Sequence, residues 1–314
     1  TYLGYLKQAG DVGLSGESVM LATGLPYISR QPQMKLSFGD FDIAIIEPYQ
    51  DAADYENMGP YNQTVSQGLI AAGLPVSEFE AADDVDKDFN LPRIEAAHVF
   101  RLNNDNLRIR PVLGYQTYDV EYYIDGEKQD SESIDSYLAG LGVSADISDA
   151  YVKGTVSYMQ NSGNYGDYQV GLRNRLDVMG NSSVLDIPSL SIINAQLTED
   201  GFKDSDVIQG TLVGGYTLND MVSFEGGVGY MNGEVDLPGA VVFSITEDPA
   251  DFEVRTAEQT SMAYYLQAWI TMTDNVSFIP EIGMLDQGDL EIDGLEDIDG
   301  GKMTYFDVSC RFDF

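Results

Sequence analysis

Apolar and polar residues alternate along much of this chain, and the period is two. It is clearest near the end: Thr304, Phe306, Val308, Cys310, Phe312 and Phe314 alternate with Tyr305, Asp307, Ser309, Arg311 and Asp313. One face is apolar and the other polar or charged, which predicts a strand with two different environments. The same period recurs in pairs around short polar turns. Met34, Leu36 and Phe38 turn at Gly39-Asp40 into Phe41, Ile43 and Ile45. Ile94, Ala96, Phe100 and Leu102 turn at Asn103 to Asn106 into Leu107, Ile109, Leu113 and Tyr115. Tyr137, Leu141, Val143 and Ala145 turn at Ser148-Asp149 into Val152, Val156 and Tyr158. Ile208, Leu212 and Tyr216 turn at Leu218 to Asp220 into Val222, Phe224, Val228 and Tyr230. Met262, Tyr264, Leu266, Ala268, Ile270 and Met272 turn at Thr273 to Asn275 into Val276, Phe278, Pro280, Ile282 and Met284. Each pair reads as a hairpin. A sixth, weaker one would run from Tyr168, Val170 and Leu172 to Leu190, Ile192 and Asn194.

Tilted strands of about 9 to 11 residues cross a bilayer, and most of these runs fit. The connections at the other end are long and polar: Glu47 to Pro92, Asp119 to Ser136, Met231 to Thr260 and Leu285 to Lys302. Short turns at one end and long loops at the other are the asymmetry of an outer-membrane barrel. The fold class expected is all-β: a closed antiparallel transmembrane β-barrel of 14 to 16 strands, with short periplasmic turns and long acidic extracellular loops. An opening strand near Thr1 to Gln8 completes fourteen, and Glu17 to Thr23 would belong to a further pair. Pro111 and Pro280 each lack a ladder donor and should mark a bulge or a strained point. No linker interrupts the pattern, so residues 1–314 read as one domain. Thr1 to Gln8 lack a basic region and a long apolar core, so a secretory signal is either absent or already removed.

Charge changes the picture. The chain carries 16 Lys plus Arg against 52 Asp plus Glu, a net charge of −36, yet 43% of its residues are hydrophobic. The alternation places Lys7, Lys35, Arg101, Arg108, Arg110, Lys153, Arg173 and Arg311 on the inward face, together with Asp42, Glu95, Asp146, Glu225, Glu281, Asp307 and Asp313. The inward wall is therefore close to neutral, and nearly all the excess negative charge lies in loops and turns. Burying that many ions in a dry core would cost several kcal/mol per ion; a wet lumen removes the difficulty. The other reading of the individual residues is a filled barrel with internal ion pairs.

The turn after Leu102 sets Arg101 directly across from Arg108, with Arg110 one step further along. Like charges facing across strands are unfavourable. Either inward carboxylates such as Glu95 neutralise them, or they form a basic ladder that attracts anionic groups.

Several function classes are excluded. Few cations leave nucleic acid an unlikely partner, and one His with one Cys cannot build a zinc site. No apolar run approaches the ~20 residues of a spanning helix. Outer-membrane proteases of the omptin type need Asp-x-His and the outer-membrane phospholipase needs His-x-Ser, but His98 has Ala96 two residues before it and Phe100 two after. No catalytic residues are assigned. His98 and Cys310 fall on the lipid-facing side. The loop from Glu47 to Pro92, with a short helix expected at Thr64 to Ala72, either folds inward to narrow a channel or covers its mouth. In the last loop, Asp289, Glu291, Asp293 and Gly294 resemble the start of an EF-hand, but the twelfth position is Gly300 where a bidentate Glu is needed. Weak calcium binding at Asp289, Glu291 and Asp293 and a solvated acidic face both remain open; no other cofactor is expected.

Taken with Gln31-Pro32-Gln33-Met34-Lys35-Leu36, the Gly39-Asp40 turn into Phe41 to Pro48, Leu91-Pro92-Arg93-Ile94-Glu95-Ala96 and the closing Arg311-Phe312-Asp313-Phe314, the sequence resembles the Gram-negative porins and, more loosely, the DcaP-like trimeric porins. That resemblance implies a trimer of sixteen-stranded barrels in the outer membrane, in contact with lipid and lipopolysaccharide, passing small hydrophilic and often anionic solutes. The terminal Phe strand looks like the signal read by the barrel-insertion machinery. The sequence departs from the family in its hairpin count and its strongly acidic loops. The function expected is a porin for passive diffusion of ions and small polar solutes, lined by Lys35, Arg101, Arg108, Arg110, Lys153, Arg173 and Arg311 and by Asp42, Glu95, Glu225, Glu281 and Asp307. The alternative is a closed barrel acting as a surface structural or adhesive protein through its acidic loops.

Overall fold

The computed structural model describes residues 23–24, 31–48, 84–167, 192–198, 201–237, 253–273 and 275–312. Among them there are strands and no helix: β1 (Gln33–Phe38), β2 (Phe41–Ile46), β3 (Asp84–Asp88), β4 (Arg93–His98), β5 (Phe100–Leu102), β6 (Leu107–Ile124), β7 (Glu127–Ile147), β8 (Ala150–Gln160), β9 (Gln196–Thr198), β10 (Gly201–Lys203), β11 (Ser205–Asn219), β12 (Val222–Leu237), β13 (Arg255–Thr273), β14 (Val276–Ile292) and β15 (Lys302–Phe312). The main sheet has 13 strands, all antiparallel, running β1-β2-β4-β6-β7-β8-β11-β12-β13-β14-β15 with β3 and β5 both on β6; β9 and β10 pair separately. Five expected hairpins are present in the expected registers, among them Phe38 opposite Phe41, Leu102 opposite Leu107 and Ile147 opposite Ala150.

Three expectations are corrected. First, the segment from Asp119 to Ser136 is not a loop. Strands β6 and β7 continue through it and meet at Asp125-Gly126, where φ is 54° and 78°. Two consecutive positive φ angles suit an Asp-Gly hairpin turn, and Tyr118, Val120 and Tyr122 keep the period of two and, like Ile134 on the partner strand, are buried. Strand β6 has 18 residues, about 60 Å at ~3.3 Å per residue, so even tilted it outreaches a hydrocarbon core of ~30 Å. For the same reason the expected loops at Met231 to Thr260 and Leu285 to Lys302 are shortened by the ends of β12, β13 and β14.

Second, β8 pairs directly with β11 from Asp206 opposite Gln160 to Tyr216 opposite Ala150. A continuous ladder leaves no place in the wall for a hairpin between them, and Ile192 and Asn194 of that expected hairpin are instead buried; Tyr168, Val170, Leu172 and Leu190 lie outside the described residues.

Third, neither proline makes a bulge. Ala97 faces Val112 and Phe100 faces Ile109, so the register is the same on both sides of Pro111; likewise Gln267 faces Glu281 and Ile270 faces Phe278 around Pro280. Each proline removes rungs where it has no N–H to donate and leaves the alignment intact. The opening strand at Thr1 to Gln8, most of Glu17 to Thr23, the Thr64 to Ala72 helix and most of the Glu47 to Pro92 loop lie outside the described residues.

Burial is inverted relative to a water-soluble sheet. Leu212, Leu266, Ile282 and Phe306 are exposed, the last at 70%, whereas Gln209, Glu225, Gln267 and Glu281 are buried. A soluble protein would bury the first set and hydrate the second. An apolar exterior around a polar interior is the arrangement lipid favours. Toward the Asp125-Gly126 end the interior changes character: Leu138, Met159, Tyr165, Ile192, Ile193, Val207, Met231, Val235 and Leu290 pack into one apolar cluster.

Candidate functional site in the sheet interior

After β8 the chain turns inward. Asn161 takes a left-handed φ of 52°, its Nδ2 donates to the Asp135 carbonyl at 2.8 Å and to Asp204 Oδ1 at 2.6 Å, and its Oδ1 accepts from the Ser205 N–H at 2.8 Å. Pinned in this way, Asn161 directs Ser162 to Asp167 against the buried face. Gln116 Nε2 donates to the Asn164 carbonyl at 2.8 Å, Asn164 Nδ2 to Tyr118 Oη at 2.8 Å, and the Ala195 N–H to Asn164 Oδ1 at 2.7 Å. The inner loop is thereby tied both to the wall and to the Ile192–Gln196 segment.

Its largest side chain, Tyr165, is fully buried. The Tyr165 hydroxyl donates to Glu95 Oε1 at 2.8 Å, and Arg93 Nη1 donates to the Tyr165 carbonyl at 2.9 Å. Arg93 Nε stands 3.5 Å from Glu95 Oε1, and its guanidinium lies 5.0 Å from the centre of the Tyr165 ring. The ring lies over Gly114, where a Cβ would stand 2.1 Å from the Tyr165 hydroxyl.

Nearer the short turns, cross-strand register lines up Asp146, Tyr151, Gly215, Glu225, Gln267, Glu281 and Asp307 in one row around the interior. Glu225 accepts from the hydroxyls of Tyr151 and Tyr265 and from Gln267 Nε2, the Tyr265 contact being 2.9 Å; Glu281 accepts from Tyr305. Each tyrosine lies over the glycine it pairs with: Tyr151 on Gly215, Tyr265 on Gly227 and Tyr305 on Gly283. The carboxylates are held flat against the wall by these rings.

Arg101 lies on β5 and Arg108 and Arg110 on β6, outside this row. Arg101 does face Arg108, but Glu95 is not what offsets them. Asp105, in the turn between them, accepts from Arg101 Nη1 at 3.0 Å and from Arg108 Nη2 at 3.1 Å, while Arg101 Nε donates to Asp40 Oδ1 at 3.1 Å. Asp105 bridges both guanidinium groups because its φ of 75° turns it back between the strands. These contacts, with Arg108 first and then Arg101, hold the Asp105 carboxyl below its ordinary range. The expected ladder therefore reduces to Arg110, which is buried and makes no hydrogen bond or ion pair with another described residue.

Of the other expected lining residues, Lys35 pairs with Asp42 at 3.1 Å, Lys153 Nζ lies 5.1 Å from the Tyr151 ring and Arg311 5.6 Å from the Trp269 ring; Asp307 accepts from Ser309 Oγ at 3.3 Å. Lys7, Arg173 and Asp313 lie outside the described residues. His98 is on the exposed face, its ring 4.3 Å from that of Phe100 and 6.5 Å from that of Phe41, and Cys310 is exposed. In the last loop Asp289 Oδ1 accepts from the Gly300 N–H at 3.3 Å and the Asp293 carbonyl accepts from Arg255 Nη1 at 2.9 Å. Among the described residues no three His, Cys, Asp or Glu side chains converge as a metal ion would require, and that includes Asp289, Glu291 and Asp293.

Two parts of the interior escaped the sequence reading. Arg93 shares a face with Glu95 by the period of two, so that signal was present. The inner loop, Asn161-Ser-Gly-Asn-Tyr-Gly-Asp167, carries only turn-forming composition, which says nothing about which way it folds.

No protein-family model and no curated protein matches the chain. Among solved structures it is similar to the outer membrane channel DcaP of Acinetobacter baumannii, with a TM-score of 0.54 at 7% identity over 92% of this chain; the match covers 64% of that protein, so this chain spans a little under two thirds of its length. In-vitro folded OmpT, an outer membrane protein of Vibrio cholerae, matches at a TM-score of 0.42, 11% identity, 97% of this chain and 72% of that one. The FrpB iron transporter of Neisseria meningitidis matches at 0.37, 11%, 88% and 39%. At 7% identity the first of these similarities establishes the fold alone, an antiparallel all-β sheet built like that of the DcaP channel.

Proposed function

We propose that this protein is a single-domain, closed β-barrel of the Gram-negative outer membrane that passes ions and small hydrophilic solutes by passive diffusion and performs no catalysis. The inverted burial carries this reading: a sheet that exposes Leu212, Leu266, Ile282 and Phe306 and buries Gln209, Glu225, Gln267 and Glu281 suits lipid on one side and a polar path on the other. In a closed barrel β1 and β15, each with one partner strand among the described residues, would be joined through the remaining chain. Homotrimer formation and contact with lipopolysaccharide belong to the same reading, the outward Gly210 and His98 being candidate contact positions.

The interior supports a channel with opposed walls. Arg110 lies on β6 with no carboxylate partner among the described residues, whereas Glu225, Glu281 and Asp307 lie on β12, β14 and β15. A solute passing between them meets positive potential on one side and negative on the other. The acidic hairpin ends raise cation concentration at the mouth, and Arg110 favours anions below it.

The apolar cluster around Tyr165 and Ile192 favours the second reading, a closed barrel acting through its loops. Single-channel recording in a planar bilayer separates the two. Discrete steps with a reversal potential in a salt gradient are expected of the channel; silence from folded, inserted protein would leave the surface role.

A further inference from the structure

We propose that Tyr165 is a latch: it holds the Asn161–Asp167 loop across the channel in the position described here, and the loop swings clear of the wall when Tyr165 leaves its seat on Gly114. This rests on the channel reading above and deepens it by naming the element that sets the conducting state.

The closed position is built for Tyr165. Gly114 is the residue over which its ring lies, since a Cβ there would meet the hydroxyl at 2.1 Å, the ring Cζ at 3.0 Å and Glu95 Cγ at 3.3 Å. Gly163 makes a second seat, because a Cβ there would stand 1.9 Å from Asn194 Oδ1. The loop can turn at Gly166, whose φ is 94°, while Asn161 stays pinned to Asp135, Asp204 and Ser205 on the wall. With Tyr165 seated, its ring belongs to one apolar cluster with Leu138, Met159, Ile192, Ile193, Val207 and Met231, and burial of that apolar surface favours closure.

What opposes closure is the ion pair beneath the ring. Arg93 and Glu95 side chains are each 1% exposed, and Arg93 Nε stands 3.5 Å from Glu95 Oε1. Arg93 Nε and Glu95 Oε2 find no hydrogen-bond partner among the described residues, and neither do Gln116 Oε1, Ser162 Oγ, Asn194 Oδ1 and Gln209 Oε1 around the same loop. A buried pair with incomplete hydrogen bonding repays little of its desolvation, and each unsatisfied polar atom adds to the cost. Withdrawal of Tyr165 admits water to all of these groups. Apolar burial and the Tyr165 hydrogen bonds thus stand against rehydration of a charged pair, which is what a two-state element requires.

The test is single-channel recording on the full-length protein in planar bilayers, comparing wild type with Tyr165→Phe, Gly114→Ala, the single variants Arg93→Gln and Glu95→Gln, and the double variant. Tyr165→Phe removes only the hydroxyl and keeps the ring. It is expected to raise the ratio of open to closed time about tenfold, because a hydrogen bond to a charged acceptor is worth at least the ~1.4 kcal/mol to which that factor corresponds. Gly114→Ala shifts the ratio the same way by unseating the ring. Each single neutralisation leaves the other charge buried without a counterion and favours opening, whereas Arg93→Gln with Glu95→Gln removes both charges, keeps a donor and an acceptor for Tyr165, and returns the ratio to the wild-type value or below. That rescue, read in the open-to-closed ratio, assigns the effect of each single variant to an uncompensated charge rather than to lost packing. Equal gating in wild type and Tyr165→Phe, or a double variant more open than either single one, would overturn the latch while leaving the channel standing. Absence of any conductance from wild type and all variants, with each shown to be folded, would overturn the channel reading itself.

Discussion

Tyr265 lies flat over Gly227, the residue it faces across β12 and β13, so that a Cβ on Gly227 would stand 2.5 Å from the tyrosine ring. The ring in turn delivers its hydroxyl to Glu225 Oε1 at 2.9 Å. Glycine and tyrosine act here as one unit that keeps a carboxylate against the wall. Gly227→Val is therefore expected to lift the ring and destabilise the barrel by about 1–3 kcal/mol, the usual cost of overpacking. A lowered midpoint in urea unfolding, followed by the gel shift between folded and unfolded barrel, would register it; an unchanged midpoint would show that the ring has room to move.

Asp105 gives a pH dependence whose sign is fixed. Its folded-state pKa lies below the unfolded value of 3.8, through hydrogen bonds from Arg108 and then Arg101. A group depressed in this way contributes stability above the unfolded value and loses it as pH falls through the folded value. Asp105→Asn should accordingly be less stable than wild type at pH 6, and the difference should shrink once pH drops below 3.8 and vanish as it passes below the folded value. Denaturant melts between pH 2 and pH 6 would check this, and a gap that persists at the acid end would assign the loss to geometry rather than charge.

Arg110 and Arg101 should differ although both were expected to line the interior. Arg101 is offset by Asp40 and Asp105, and Arg110 has no carboxylate partner among the described residues. One unit charge at 4 Å in water contributes about 1 kcal/mol, about fivefold in local anion occupancy. Arg110→Gln is expected to shift the reversal potential toward cation preference by up to that factor, and Arg101→Gln by much less. Equal shifts would mean that Asp105 does not neutralise its neighbours.

Cys310 tests the outward face without any mutation. It is exposed and pairs across β14 and β15 with Phe278, on the side that carries Phe306 and Val308. In lipid vesicles a charged maleimide should leave it unlabelled, a lipid-soluble one should label it, and detergent that strips the lipid should abolish the difference. Labelling by the charged reagent in intact vesicles would put this face in water.

The period of two was enough to determine five hairpins with their turns, and the two faces of their strands. A one-residue slip exchanges the faces of a strand, so the alternation of Phe306, Val308 and Phe312 with Asp307 and Arg311 already fixed which side chains meet lipid. It also fixed Arg101 opposite Arg108, because a hairpin register follows from its turn. Local pattern could not say which carboxylate would answer those arginines: Asp105 does so through a left-handed backbone angle, and Glu95 is claimed by Arg93 and Tyr165. Nor could it show that β8 would pair with β11 and send Asn161 to Asp167 inward. That choice depends on Gly114, Gln116, Tyr118 and Ser205, residues distant in sequence that become one surface only when the sheet has formed, and contacts of that kind leave no periodic trace in a single chain.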